Sequence, residues 1–316
     1  MNSVSGDSIL VIKLGALGDF IQALGPIAAI RRHHPDQKIT LLTSALYQPL
    51  ARASGLVDDV HIDVRPRGLE LGKWNELRRF LRDGGFCRIY DLQTSDRSSW
   101  YYRLFFPGEK PEWSGIAPGC SHPHANPNRD FMHTTERQRE QLNMAGIDVV
   151  PEPDLSWVDI DLSGFDLTDR FALLVPGGAP HRPAKRWPAG NFKLLSKQLS
   201  AKGIQPVVLG TEGESGLARD ILSGGTAGLD LTGQTDLLAL AALSRHAVCA
   251  IGNDTGPMHV TAVAGCPSIV MYSDDSDPEL CAPRGKNVSI LTSPDLANLP
   301  VDRVVSEIIR LDQKQC

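Results

Sequence analysis

The chain has 316 residues, of which 41% are hydrophobic and 22% charged, and its formal net charge at pH 7 is −5. These values are typical of a soluble globular protein with a sizeable core; they exclude a disordered chain, and the acidic balance argues against general nucleic-acid binding. At roughly 150 residues per domain, the length suggests two domains. The six cysteines form no CxxC pair, which favours a reduced cytoplasmic protein over a disulfide scaffold.

Neither a signal peptide nor a membrane-spanning segment is predicted. The start of the chain, Met1–Asp7, lacks a basic region, and the longest apolar run, Leu237–Leu243, is far shorter than the roughly 20 residues that span a bilayer.

Short apolar runs alternate with amphipathic stretches in the first half of the chain. The predicted strands are Ile9–Leu14, Lys38–Thr43, Asp59–Val64 and Arg88–Leu92, and the predicted helices are Phe20–His33, Gln48–Ser54, Lys73–Arg82 and Thr134–Ala145. This order predicts a mostly parallel sheet with helices on both faces. The proline-rich segment from Pro107 to Arg129 is predicted to be a long irregular loop.

The polar segment Pro151–Ser163 is predicted to be a linker, after which the alternation restarts. The predicted strands are Phe171–Val175, Gln205–Leu209, Leu229–Leu231, Ala247–Ile251 and Ser268–Tyr272, and the predicted helices are Ala189–Lys202, Ser215–Ser223, Leu237–Ser244, Pro257–Ala264 and Val301–Leu311. We therefore predict the α/β class, with domains at residues 1–160 and 161–316 and with the last helix allowed to return to the first domain. Ligands of open parallel sheets bind beyond the carboxyl ends of the strands, so candidate site residues should follow strands.

The first candidate motif, Lys13–Asp19, lies between the first strand and the first helix. Its glycine spacing differs from GxGxxG, which disfavours a dinucleotide-binding dehydrogenase. Asp19 lies where the helix is predicted to begin. It is therefore either an N-cap or a general base that accepts a proton from a substrate hydroxyl.

The second motif is the loop Val175–Pro188, which is rich in glycine, proline and cations. Its Lys185 and Arg186 suit a diphosphate clamp, because lysine supplies a point charge and arginine a planar fork for phosphate oxygens. A solvated basic loop is the alternative. The loop is not a Walker motif, because GxxxxGK[ST] is absent.

The third motif, Gly252–His259, follows a strand and opens a helix. Free N–H groups and the positive end of the helix dipole predict an anion site there. In the alternative interpretation Asp254 and Thr255 are ordinary caps, and His259 either faces the same spot or packs in the core.

A fourth motif, Gly210–Glu214, carries a carboxylate after the next strand. Glu214 or Glu212 either binds ribose hydroxyls or favours a helix start. No metal site is predicted, since Cys120, His122, His124 and His133 match no zinc template. A serine nucleophile is not predicted either, because GxSxG is absent.

These motifs together resemble glycosyltransferase family 9, the ADP-heptose:lipopolysaccharide heptosyltransferases. The resembling stretches run in the family's order from Ile9 to about Lys286: VIKLGALGDFIQALGPI, DLQTSDRSS, PGGAPHRPAKRWP, LGTEGES and IGNDTGPMHVTAVAGCP. The resemblance implies a GT-B architecture of two Rossmann-like domains with a cleft between them. The first domain would bind the acceptor and the second the nucleotide sugar.

The resemblance also implies an inverting, metal-independent transfer without a cofactor, from ADP-heptose to a lipopolysaccharide-core or other saccharide or lipid-linked acceptor. Asp19 and Lys185 match the catalytic residues. The implied donor-binding residues are Gly177, Gly178, Lys185, Arg186, Glu214, Asp254, Thr255, Gly256 and His259. The implied acceptor-binding residues are Gly18, Gln93 and Arg97.

Two stretches depart from the family pattern, the proline-rich loop after Pro107 and the residues after Met271. A Gly-Pro-Thr-Asp-like turn commonly follows the strand that ends near Met271, whereas this chain has Tyr272–Pro278. Two alternatives stay open: a transferase that uses another nucleotide sugar, and a non-catalytic nucleotide-sugar-binding protein. No nucleic-acid partner is expected. The expected location is the cytoplasm, with peripheral contact to the inner membrane through the acceptor allowed.

Overall fold

The computed structural model describes residues 7–178, 181–223 and 227–313. Predictions that involve Met1–Gly6, Ala179–Pro180 or Cys316 therefore lie outside the described residues. The chain divides into two compact units, Met1–Pro153 and Asp154–Cys316, a few residues before the predicted boundary. No helix of the described residues is both long and apolar enough to cross a membrane.

The described part of the first unit is a parallel α/β sandwich. Its strands are β1 (Ser8–Ile12), β2 (Lys38–Thr43), β3 (Asp59–Ile62), β4 (Phe86–Asp91), β5 (Glu112–Gly115) and β6 (His122–Pro123). Its helices are α1 (Leu17–Gln22), α2 (Leu24–His33), α3 (Gln48–Ala53), α4 (Leu71–Asp83), α5 (Asp96–Tyr101) and α6 (Thr134–Met144). The sheet order is β3-β2-β1-β4-β5-β6, so the strand order reverses between β1 and β4.

The predicted helix Phe20–His33 is divided at Ala23 into α1 and α2. Proline inside a helix lacks the N–H that bonds to the carbonyl four residues earlier. Pro26 therefore lies in the first turn of α2, where that N–H is not needed. Gly25 beside it has no room for a side chain, because a Cβ there would lie 2.2 Å from the Pro151 carbonyl oxygen.

The prediction of an irregular loop between Pro107 and Arg129 was wrong. This segment contains β5 and β6, which pair in parallel and extend the sheet beyond β4. Trp113 in β5 is fully buried in the hydrophobic core of the first unit. The two strands are too short to produce an apolar run or an alternation of apolar and polar residues. The prolines around them are typical of a loop and led to the wrong prediction.

The second unit repeats the arrangement. Its described strands are β7 (Phe171–Val175), β8 (Gln205–Val208), β9 (Leu229–Asp230), β10 (Cys249–Asn253), β11 (Ser268–Tyr272) and β12 (Val288–Thr292). Its described helices are α7 (Ala189–Ala201), α8 (Ser215–Leu222), α9 (Leu237–His246), α10 (Gly256–Val263), α11 (Pro278–Cys281) and α12 (Val301–Gln313). The parallel sheet has the order β12-β11-β10-β7-β8-β9, so its order reverses between β10 and β7.

The last helix, α12, has a strongly one-sided apolar face. The sequence allowed a return of this helix to the first domain. In the structure its buried side chains Val301, Val304, Ile308 and Leu311 belong to the core of the second unit. Burying such a face against a sheet and its covering helices is the main source of stability for a surface helix.

Candidate active site

The second unit brings its predicted donor-binding residues to the carboxyl edge of its sheet. β7 and β10 are neighbours at the point where the strand order reverses, and the loops that follow them hold Gly177 and Asp254. A crevice forms at such a reversal, because the flanking connections leave toward opposite faces of the sheet. The predicted donor residues of these two loops therefore lie at the usual ligand position of this fold.

Lys185 and Asp254 form an ion pair at this edge. The Lys185 Nζ lies 2.7 Å from the Asp254 Oδ2, and the two side chains are only 13% and 10% exposed. Ser276 donates a second hydrogen bond of 2.6 Å to the same oxygen. Burial alone would raise the pKa of Asp254, but the Lys185 and Ser276 hydrogen bonds and the Lys185 charge outweigh it and lower the pKa. The clamp lysine thus has a carboxylate partner, which the sequence did not predict.

Ser276 belongs to the stretch after Met271, which departs from the family pattern. Its hydrogen bond to Asp254 gives this stretch a place in the candidate site.

Asn253 is a site residue that the sequence analysis missed. Its side chain is fully buried at the end of β10. The Oδ1 accepts a hydrogen bond of 2.8 Å from the Trp187 N–H, and the Nδ2 donates to the carbonyls of Pro176 and Gly177 at 2.8 and 3.1 Å. One amide therefore fastens both ends of the cationic loop to β10. The signal available in the sequence was a polar residue at the end of an apolar strand.

Gly177 and Glu214 lie against each other. A Cβ on Gly177 would be 2.1 Å from the Glu214 Oε1, so a larger residue at this position would require the carboxylate to move away. The Glu214 Oε2 accepts hydrogen bonds from the Thr211 N–H and hydroxyl at 2.7 and 3.0 Å. Glu212 is exposed and lies beside Gly233 instead. Glu214 rather than Glu212 therefore faces the loop after β7.

The predicted phosphate-binding groups occupy the start of α10 and the adjoining loop. The Arg186 guanidinium donates to the Gly178 carbonyl, and its Nε is buried with no hydrogen-bond partner in the described residues. Thr255 is the N-cap of α10, but its side chain makes no capping bond, and its buried hydroxyl likewise has no described partner. Gly256 is the first residue of α10, and His259, in the first turn, is buried.

The first unit has a polar pocket at the equivalent reversal, beyond the ends of β1 and β4. It has a volume of about 100 Å³, and Asp19 lies in its wall. Asp19 is not the N-cap of α1, because that position is Ala16, and Asp19 is instead in the first helical turn. Its carboxylate makes no hydrogen bond or ion pair with any described residue. The N-cap interpretation is therefore wrong, and a carboxylate facing a pocket stays available for proton transfer.

The predicted acceptor-binding residues have unequal positions. Gln93 lines the pocket, and its side-chain oxygen accepts hydrogen bonds from the N–H groups of Leu14 and Gly15 at 2.8 and 3.1 Å. Gly18 is buried within α1. Arg97 does not line this pocket, and its guanidinium donates to the Pro66 carbonyl at 3.1 Å.

Two buried ionisable groups lie at this edge of the sheet: Lys13, which lines the pocket, and Asp91, the last residue of β4, which does not. Burial raises the pKa of Asp91 to about 6, although the N–H groups of Thr94 and Gln93 donate to its carboxylate. Lys13 is also buried, and this burial lowers its pKa although Asp19 and Asp91 oppose the effect. The Lys13 Nζ donates to the Leu92 carbonyl at 3.1 Å. Sequence analysis included Lys13 in the first motif but gave it no role.

Comparison with known proteins identifies the family. A profile described as Glycosyltransferase family 9 (heptosyltransferase) matches residues 74–307, which is most of the chain. The chain belongs to glycosyltransferase family 9. It is 24% identical over 307 residues to Lipopolysaccharide heptosyltransferase 2 of Escherichia coli strain K12, covering 90% of this chain and 87% of that protein.

Solved structures of heptosyltransferases share the fold. The E. coli ADP-heptose lps heptosyltransferase II superposes with a TM-score of 0.81 at 21% identity, over 98% of this chain and 99% of that one. The E. coli heptosyltransferase WaaC with ADP gives 0.77 at 19% identity, over 96% and 99%. The prediction of an α/β, GT-B protein with glycosyltransferase activity is confirmed.

No group of three or more His, Cys, Asp and Glu side chains in the described residues is arranged to hold a metal ion. Metal independence stays a prediction.

Proposed function

We propose that this family 9 glycosyltransferase moves heptose from ADP-heptose to a saccharide of the lipopolysaccharide core, with inversion and without a metal or other cofactor. The observation that carries the proposal is the cationic loop held at the end of β10, beside the start of α10. Support for the donor and acceptor comes from relatives described as ADP-heptose and lipopolysaccharide heptosyltransferases. We assign donor binding to the second unit and acceptor binding to the first.

In the proposed reaction an acceptor hydroxyl attacks the anomeric carbon, and the bond from that carbon to the diphosphate oxygen breaks as the new bond forms. Asp19 accepts the hydroxyl proton. Negative charge grows on the departing diphosphate, and the Arg186 guanidinium, the Lys185 ammonium and the N–H groups at the start of α10 stabilise it. A single displacement of this kind inverts the configuration at the anomeric carbon.

Asp254 has a supporting role in this scheme. Its ion pair holds Lys185 in one position before the diphosphate arrives, so that less side-chain entropy is lost on binding. The Thr255 hydroxyl and Arg186 Nε, which lack partners in the described residues, are natural donors to phosphate oxygens.

Nucleotide binding tests this proposal. Lys185→Ala should weaken ADP binding by tenfold or more and adenosine binding by much less, because the lysine contacts phosphate alone. The matched control is Lys193→Ala in α7, whose ammonium bonds to Ser223 and not to the site. Isothermal titration with ADP, UDP, GDP and adenosine measures both effects.

The titration also decides between donors. If UDP or GDP binds more tightly than ADP, the donor is a sugar carried by that nucleotide and not ADP-heptose. Equal losses for adenosine and ADP in the Lys185 variant would refute the diphosphate clamp. If ADP binds but no sugar is transferred from ADP-heptose, the alternative of a non-catalytic nucleotide-sugar-binding protein is favoured. We propose that transfer occurs in the cytoplasm, with membrane contact only through the acceptor and no nucleic-acid partner.

A further inference from the structure

Three loops of the second unit meet at the Asp254 carboxylate. Asp254 follows β10, Lys185 lies in the loop after β7, and Ser276 lies in the loop after β11, the strand on the other side of β10. The Asp254 N–H donates to the Met271 carbonyl at 3.1 Å, which fastens its backbone to β11. Lys185 and Ser276 bind the same oxygen of Asp254, Oδ2, at 2.7 and 2.6 Å. One carboxylate oxygen therefore joins the two loops that flank it.

The direction of the Ser276 hydrogen bond follows from the chemistry of its partners. An ionised carboxylate can only accept, so the hydroxyl proton of Ser276 is directed at Asp254. The other group near this hydroxyl, the Cys281 Sγ, is 3.7 Å away, and sulfur is a weak acceptor. A length of 2.6 Å is normal for a hydroxyl that donates to a charged oxygen, and such bonds are stronger than those between neutral groups.

The local sequence after β11 fixes the place of Ser276. The four residues from Ser273 form a turn, in which the Ser276 N–H donates to the Ser273 carbonyl at 3.2 Å. Asp277 then caps α11, because its carboxylate accepts from the Glu279 N–H at 2.9 Å, and Pro278 takes the first helical position. Ser276 is thus held between a closed turn and a capped helix.

Loss of the serine bond would change Lys185 in two ways. The Asp254 carboxylate could turn about its side-chain bonds and move the lysine ammonium with it. Lys185 would also be the stronger partner of a carboxylate that has lost its second donor, so its ammonium would be less available to phosphate oxygens. Both changes weaken diphosphate binding and reduce the stabilisation of negative charge on the departing diphosphate.

We propose that Ser276 is a positioning residue for the transfer. Its hydrogen bond fixes the Asp254 carboxylate, and through that carboxylate it fixes the Lys185 ammonium where the donor diphosphate binds. Ser276 lies in the stretch after Met271 that departs from the family pattern, so this chain has its own means of setting the position of its lysine. The inference rests on the proposed function, because it requires that Lys185 binds the diphosphate.

A double-mutant cycle on the full chain tests the inference. Isothermal titration with ADP and with adenosine compares the wild type, Ser276→Ala, Lys185→Ala and the double variant. Ser276→Ala should weaken ADP binding about three- to tenfold, which is part of the worth of a hydrogen bond to a charged group, and leave adenosine binding unchanged. When Lys185 is already alanine, the same replacement should change ADP affinity less than about twofold, because the serine acts through the lysine.

Two further variants separate the hydroxyl from the shape of the turn. Ser276→Thr keeps the hydroxyl at a half-buried position, so it should bind ADP nearly as tightly as the wild type. Ser273→Ala is the matched control, because the Ser273 hydroxyl belongs to the same turn but accepts from the Asp275 N–H at 3.4 Å and is not bonded to Asp254. It should keep wild-type affinity for ADP.

Wild-type ADP affinity in Ser276→Ala would overturn the inference, as would a loss that is as large without Lys185 as with it. Equal losses for adenosine and ADP, or a loss in Ser273→Ala that matches the loss in Ser276→Ala, would mean that the loop as a whole matters and not this hydroxyl. ADP affinity as low in Ser276→Thr as in Ser276→Ala would contradict it as well. Failure of the donor proposal is distinguishable, because Lys185→Ala alone would then bind ADP as tightly as the wild type.

Discussion

At the scale of single residues, Asp19 is the residue on which the proposed chemistry depends. Asp19→Asn keeps the shape but removes the proton acceptor, so turnover should fall about 10²–10⁴-fold. Stability should change by less than about 1 kcal/mol, since the carboxylate supports α1 only through the helix dipole. Transfer rates and thermal unfolding measure the two effects.

The control for this variant is Asp96→Asn. Asp96 is likewise an acidic residue in the first turn of a helix, α5, but unlike the half-buried Asp19 it is exposed and does not line the pocket. It should show the same small change in stability with turnover near that of the wild type. A folded Asp19→Asn protein with normal turnover would assign proton transfer to another group.

Asp91 provides a prediction about pH. Its pKa is raised from 3.8 to about 6 by burial, so the folded state binds a proton that the unfolded state has already released across this window. The contribution of Asp91 to stability therefore falls as pH rises from about 4 to 6. Relative to wild type, Asp91→Asn should gain up to about 3 kcal/mol in unfolding free energy across that window, at 1.36 kcal/mol per pKa unit.

Denaturant unfolding at pH 4 and pH 7 checks this prediction, and Asp58→Asn is the control, because its pKa is shifted in the opposite direction. Burial alone would raise the pKa of Asp58, but bonds from the Ile39 N–H and Arg31 outweigh it and lower the pKa. Ionised Asp58 therefore stabilises the fold, and this stabilisation is lost only as pH falls below about 4, so removal of the carboxylate should cost nearly the same at pH 4 and pH 7. The same pH trend in both variants would contradict the assignment for Asp91.

At the scale of elements, predictability followed the length of the apolar pattern. Lys38–Thr43, Phe171–Val175 and Ser268–Tyr272 were predicted with the bounds that the structure has, because strands buried on both faces are mostly apolar. β12 was not predicted, although it pairs along β11. Its sequence VSILT mixes polar and apolar residues because it is an edge strand of the described sheet, half open to solvent.

The candidate site also has a part that the sequence could predict and a part that it could not. Motif residues that follow strands, such as Lys185 and Asp254, could be found because the chain order of a parallel sheet fixes which loops meet at its carboxyl edge. The partners that join loops distant in sequence could not be found. Asn253 contacts residues 66 and 77 positions away, and Arg129 contacts Thr94 35 positions away. No local spacing encodes such contacts.

At the scale of the whole molecule, two sheets of the same topology, each with its own core, divide the two substrates between them in our proposal. Hydrogen exchange of the full chain should therefore respond to the two ligands in different places. ADP at 100 times its Kd stabilises what it binds by about 2.7 kcal/mol, which slows exchange through the unfolding of that region about 100-fold. We expect the slowing at the loop after β7 and at the start of α10.

The acceptor saccharide should instead slow exchange in α1 and α6 of the first unit, which both contribute residues to its polar pocket. The control is Lys185→Ala, which should remove the ADP effect and leave the acceptor effect unchanged. Protection by ADP in α6, persisting in Lys185→Ala, would mean that the nucleotide occupies the pocket of the first unit. The roles assigned to the two units would then have to be exchanged, because the cations that line that pocket, Lys13, Arg129 and Arg137, would bind the diphosphate.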